Sequence, residues 1–204
     1  MNIHSFVNIP TTLATRQWQY LAIALLISSL LTIAPFSTGA TEFSASVHKG
    51  DQKDVKGYSF TIADNFSKKS NFYWHVGYSS YKDLSVNWNK DKLFFDVNNV
   101  EAILSYRQKI KSYNSFFNSL SIEYQMGAAI AVTENKFTWP NLNEEKFFSE
   151  KGDINGFVGL ALYYNLSRNT ALILGVKYHP EFSEFGDMSS IYFGLNHSFG
   201  QSGY

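Results

Sequence analysis

The sequence predicts an all-β protein, an eight-stranded antiparallel up-and-down transmembrane β-barrel, on three observations. The first is the alternation in Leu120–Thr133. Leu120, Ile122, Tyr124, Met126, Ala128, Ile130 and Val132 take one parity, and Ser121, Glu123, Gln125, Gly127, Ala129, Ala131 and Thr133 take the other. Side chains on a strand point to opposite faces with period 2, so one face is apolar and the other is polar or small. The second is that this pattern recurs along the chain downstream of an export-like N-terminus. The third is that long and short connections alternate in phase between the segments. Apolar outward and polar inward is the arrangement of a barrel in lipid.

The N-terminal segment reads as a signal peptide over residues 1–40. Arg16 precedes an apolar core from Leu21 to Ile33, followed by Pro35 and the small residues Ser37, Thr38, Gly39 and Ala40. Charge, short apolar core and small-residue exit, in that order, predict cleavage after Ala40. The rival is a spanning helix over Trp18–Phe36, which approaches the required length of about 20 residues but is diluted by Gln19, two serines and Thr32. The barrel domain then covers 41–204, with no second long apolar run.

Composition excludes several classes. With no cysteine there are no disulfides and no thiolate metal sites, and 17 basic residues balance 17 acidic ones. Nothing in that balance favours nucleic acid. Aromatic residues make up 17 % of the chain, including 13 tyrosines and 18 phenylalanines, as strands and membrane interfaces favour.

Eight segments carry the alternation. Thr41–His48 directs Phe43, Ala45 and Val47 outward and Ser44, Ser46 and His48 inward; Gly57–Phe66 directs Tyr58, Phe60, Ile62 and Phe66 outward, with Asp64 on that parity near the strand end. In Phe72–Trp88 the outward set is Phe72, Trp74, Val76, Tyr78, Leu84, Val86 and Trp88, against Tyr73, His75, Gly77, Ser79, Tyr81 and Asp83. Asn99–Gln108 sets Val100, Ala102, Leu104 and Tyr106 against Glu101, Ile103, Ser105 and Arg107. Ser119–Thr133 is the fifth strand. Asn155–Leu166, Ala171–His179 and Ser189–Phe199 repeat the pattern, the last with Ile191, Phe193, Leu195 and Phe199 outward. The connections His48–Lys56, Asn89–Asn98, Glu134–Ile154 and Pro180–Met188 are long, whereas Ser67–Asn71, Ile110–Asn118 and Ser167–Thr170 are short. Short periplasmic turns and longer external loops put both ends of the barrel in the periplasm. Trp139, Glu144 and Lys146 of the longest loop, and Glu184 of the last, are the candidates for external recognition.

Over essentially all of Thr41–Gly200 the chain resembles the small eight-stranded outer-membrane barrels of Gram-negative bacteria. Its last strand, SIYFGLNHSF at Ser190–Phe199, is similar to the aromatic-ended strand by which the barrel-assembly machinery recognises its clients. Such chains end on that aromatic, whereas Gly200–Tyr204 follow here, so either Tyr204 takes its place or a short tail is tolerated. The resemblance implies a cell outer membrane location, with outer-membrane lipid and lipopolysaccharide as surroundings, the assembly machinery as a partner during insertion, and no cofactor. The function it implies is structural or surface interaction through external loops, without catalysis.

The inward parity collects Glu101, Arg107, Glu123, Gln125 and Lys177, which predicts a lumen filled by an ion-pair and hydrogen-bond network with Glu123 and Arg107 on neighbouring strands. His48, His75 and His179 share that parity without ligand spacing, so no metal is expected. Two alternatives remain. A narrow transporter of small apolar ligands would need a gap among those charges. The segments Ser121–Val132 and Leu172–Gly186 also resemble the lipid A deacylase barrels, whose His-x-Ser pair lies near the external end of the seventh strand. His179 invites that role, but Glu181 stands where the serine should be. Ser183 is four residues on, about 13 Å along an extended strand. If the chain were such an enzyme, His179, Ser183 and Glu181 would carry it. A soluble lipocalin-like barrel is the rival at the level of fold.

Overall fold

The structure, a computed structural model, describes residues 41–52, 54–67, 70–88, 91–139 and 144–199. The predicted signal peptide and the Gly200–Tyr204 tail lie outside the described residues. Ten strands are formed: β1 (Thr41–Gly50), β2 (Lys56–Asn65), β3 (Phe72–Trp88), β4 (Asp91–Lys109), β5 (Leu120–Ala131), β6 (Asn135–Trp139), β7 (Glu144–Ser149), β8 (Ile154–Asn165), β9 (Thr170–His179) and β10 (Met188–Phe199). Eight of them close a barrel in the order β1-β10-β9-β8-β5-β4-β3-β2, and β6 and β7 pair separately as a hairpin. All neighbours are antiparallel, and β1 closes the ring against β10 from Thr41 opposite Phe199 to Gly50 opposite Ser190.

Strand tilt follows from the register. Residues directly opposite one another run from Phe72 through Tyr106, Tyr124, Leu160, Val176, Ile191, Lys49 and Lys56 back to β3 at Lys82, ten residues beyond the start. A stagger of that size over eight strands inclines them by roughly 40° to the barrel axis, and a barrel this narrow is filled by its own side chains.

The outer wall is apolar around its circumference. Phe43, Phe60, Ile62, Val76, Leu104, Met126, Val158, Leu174, Phe193 and Leu195 are all exposed on it. A water-soluble monomer does not expose a continuous apolar belt of this extent. The inward positions hold the charges instead, with Glu42, Glu101, Arg107, Glu123 and Lys177 buried. This partition is the inverse of a soluble barrel's.

Three expectations are corrected. The parity read for the upper part of the third strand fails at a β-bulge: Tyr81 pairs with Val97 but Leu84 with Phe95, so Lys82 and Asp83 together face Asp96. Asp83 adopts φ 61°, and its N–H donates to Asp96 Oδ1 at 3.2 Å. The extra residue swaps the faces, so Leu84 is buried and Asp83 exposed, opposite to expectation. Next, Asn89–Asn98 is not a loop, because β4 starts at Asp91 and pairs with β3 up to Trp88. Finally, Glu134–Ile154 is not an irregular loop but carries the β6–β7 hairpin.

Glycine is required at one inward position in particular. Gly175 lies opposite Tyr192, and a methyl group at Gly175 would overlap the tyrosine ring. Gly175→Val would push Tyr192 off its neighbours and is expected to destabilise the barrel by about 1–3 kcal/mol. A lowered urea midpoint of the folded protein in lipid vesicles checks this, and an unchanged midpoint would show that the ring can move freely.

Candidate functional site

The lumen is built in layers, because inward positions on neighbouring strands meet at fixed heights. At the end carrying Thr41 and Phe199, the register puts Arg107 opposite Glu123. Arg107 donates from Nε to Glu123 Oε2 at 2.6 Å and from both terminal nitrogens to Glu42, at 2.8 and 2.9 Å. The rings of Tyr73 and Tyr163 lie 4.2 and 4.1 Å from its guanidinium carbon, so both faces of the cation are covered. Glu123 Oε1 accepts from Gln125 Nε2 at 2.7 Å, and Glu42 Oε2 also accepts from Asn196 Nδ2 at 3.0 Å. His75 Nε2 stands 3.5 Å from Glu123 and 2.8 Å from Ser105 Oγ.

A second layer lies above it. Lys177 Nζ donates to Glu101 Oε2 at 2.8 Å, and Ser79 Oγ donates to Glu101 Oε1 at 2.7 Å. The same ammonium sits 4.5 Å over the Phe157 ring. His48 Nε2 meets Ser59 Oγ at 2.8 Å, and its ring stacks on Tyr192 at 5.2 Å. Between the layers a cavity of about 30 Å³ is lined by His48, His75, Gln125 and Tyr192 among others. That is room for a water molecule or two, and nothing larger.

An apolar plug closes the opposite end. Val55, Tyr81, Leu84, Val97, Phe148, Phe182, Phe185 and Met188 form one buried cluster. Two of its phenylalanines come from the Pro180–Met188 segment, which was expected to project outward and instead folds into the mouth. Phe148 arrives from β7 and stacks on Phe95 at 4.9 Å, which anchors the hairpin to the barrel rim.

The structure brings the five predicted lumen residues into the two layers just described. It does not bring His179, Ser183 and Glu181 together. His179 is fully buried between the rings of Tyr81, Phe157 and Phe182, and among the described residues neither of its ring nitrogens has a hydrogen-bond partner. Ser183 stands at φ 51° with its Oγ 3.4 Å from both Asp153 Oδ2 and Asn155 Nδ2, and Glu181 is exposed. Among the described residues that hydroxyl meets Asp153 and Asn155, not His179. At the plugged end Lys146 Nζ lies 3.9 Å from exposed Glu184, which ties the hairpin to the last loop. Trp139 and Glu144 are paired at the hairpin end, and their side chains lie outside the described residues.

Sequence reasoning missed Glu42, which completes the arginine's shell, and the two tyrosines that sandwich it. Glu42 shares the inward parity of Ser44 and Ser46, and that signal was available. Nothing local marks Tyr73 and Tyr163 as partners, since they stand on strands far apart in the chain.

No protein-family model matches the sequence, and no curated protein matches it. Solved structures do. Neisserial surface protein A is similar with a TM-score of 0.50 and 14 % identity, over 78 % of this chain and 96 % of that one. Ail, the attachment invasion locus protein of Yersinia pestis, is similar with a TM-score of 0.50 and 14 % identity, over 79 % of this chain and 99 % of that one. Both are small eight-stranded outer-membrane β-barrels, and this chain has their fold.

Proposed function

We propose that this protein is an integral barrel of the Gram-negative outer membrane that acts through its external surface, with the lumen as its structural core. The observation that carries this reading is the inverted partition. Charges are paired inside, the wall is apolar outside, and what projects from the barrel is concentrated at one end. There the β3–β4 ladder extends past the bulge and the β6–β7 hairpin stands on the rim. Surface interaction is the work such elements suit, as rigid barrels present recognition segments at their ends. The barrel-assembly machinery and the surrounding lipopolysaccharide are the partners this placement entails.

Expression with the native N-terminus in a Gram-negative host tests the placement. The outer-membrane fraction should hold a band that migrates differently before and after boiling. Trypsin added to intact cells should cut at Lys136 and Lys146 of the hairpin while leaving the barrel whole. Cleavage only after permeabilisation would reverse the orientation, and a soluble periplasmic product would overturn the reading altogether. The acyl-hydrolase alternative is separated by His179→Ala, which should leave the acyl content of lipid A unchanged.

A further inference from the structure

We propose that Lys49, Lys56 and Lys82 form a binding site for the phosphate groups of an outer-leaflet glycolipid whose acyl chains lie in the groove beside Lys49. The inference rests on the outer-membrane placement proposed above. The three lysines follow one another around the barrel in register, Lys49 opposite Lys56 and Lys56 opposite Lys82. Directly opposed residues have Cβ atoms about 4.5–5.5 Å apart, so the three lysines leave adjacent strands side by side. All three are exposed on the outward face, Lys49 and Lys56 at the facing ends of β1 and β2 and Lys82 at the bulge within β3. None makes an ion pair or side-chain hydrogen bond among the described residues.

Like charges directly opposite one another destabilise a sheet, so this row opposes folding unless an anion lies across it. No carboxylate among the described residues lies across it. Asp51, the carboxylate nearest to Lys49 in sequence, accepts from the backbone N–H groups of Ser189 at 3.1 Å and Gln52 at 2.9 Å. Asp54 and Asp83 are exposed, and neither pairs with a lysine of the row within 4.0 Å.

The position of the row matters as much as its charge. One step toward the other end of the barrel, the outward face carries Val47 opposite Tyr58, and the Tyr58 and Tyr78 rings lie 6.3 Å apart. Tyrosines mark the level of lipid headgroups, so the lysines stand at the height of a headgroup phosphate.

Lys49 also borders a groove of about 790 Å³ on the wall of β8, β9 and β10, lined by Val158, Leu160, Val176, Tyr178 and Ile191. This lies within the usual size of a ligand site, about 300–1,000 Å³. A cationic row at headgroup height continuous with an apolar groove fits an amphiphile with a phosphorylated head. Inorganic phosphate would leave the groove unused.

The test uses the full barrel in phosphatidylcholine nanodiscs doped with bisphosphorylated lipid A, extracted into mild detergent, with retained lipid counted by native mass spectrometry. The wild-type protein should retain lipid A, and the Lys49→Gln/Lys56→Gln/Lys82→Gln variant should retain about a hundredfold less, each lysine near a charged surface contributing on the order of 1 kcal/mol and about 1.4 kcal/mol being tenfold. The corresponding triple arginine variant should retain it, and so should Lys136→Gln/Lys146→Gln. Val176→Trp, which fills the groove and leaves the charges in place, should also lower retention. Lys56→Gln alone gives the same reading in a milder form if the triple variant does not fold. Equal retention by the glutamine variants, or by the wild type toward dephosphorylated lipid A, overturns the proposal. Heat modifiability of the wild type in nanodiscs without lipid A separates failure of this site from failure of the membrane reading.

Discussion

Arg107→Met is expected to destabilise the inserted barrel by about 3–5 kcal/mol, the range for breaking a buried ion pair from one side. The guanidinium holds two buried carboxylates at once, Glu42 through two hydrogen bonds and Glu123 through a third. Removing it leaves both carboxylates facing each other in a space closed by Tyr73 and Tyr163. Methionine matches much of the volume, so the loss reports charge rather than a cavity. Adding Glu42→Gln and Glu123→Gln to the same chain should restore most of the stability, because a neutral lumen carries no orphaned charge. The urea midpoint of the heat-modifiable band in lipid vesicles reads both effects. If Arg107→Met left that midpoint unchanged, the lower layer would not be closed to water.

Leu174→Arg tests the other half of the partition. Leu174 points outward from the middle of β9, between Leu162 and Phe193 on the flanking strands, and is 53 % exposed. On a protein in water an exposed leucine can be replaced by arginine with changes of about 0.5 kcal/mol or less. Facing the middle of a bilayer, the same change is expected to destabilise by about 2–4 kcal/mol. The comparison is made in vesicles, with Lys49→Arg at the headgroup level as the neutral control. Equal effects at the two positions would mean that the outer wall does not face hydrocarbon.

The two variants also mark how far the chain could be read before folding. Alternation alone puts Leu174 outward and Arg107 and Glu123 inward, since facing with period 2 is a property of each strand's own backbone. Alternation fails where the backbone departs from that period, and Asp64, on the outward parity, is nevertheless buried. The bulge at Lys82 and Asp83 reversed Leu84, and no glycine or proline there announces it. Pro180–Met188 reads as a long connection, and nothing in it marks Phe182 and Phe185 for burial. Their burial follows from the open barrel mouth, which leaves an apolar rim to be covered.

What local pattern decides, then, is the class of fold and which residues face lipid and which face the lumen. Closure of the ring decides the rest. The ten-residue stagger, the meeting of Glu42 with Arg107 across 65 positions and the alignment of Lys49, Lys56 and Lys82 all depend on register between strands. Register is settled by which hydrogen-bonded ladder lets every strand bury its polar face at once. That is a condition on the whole barrel, and no single segment contains it.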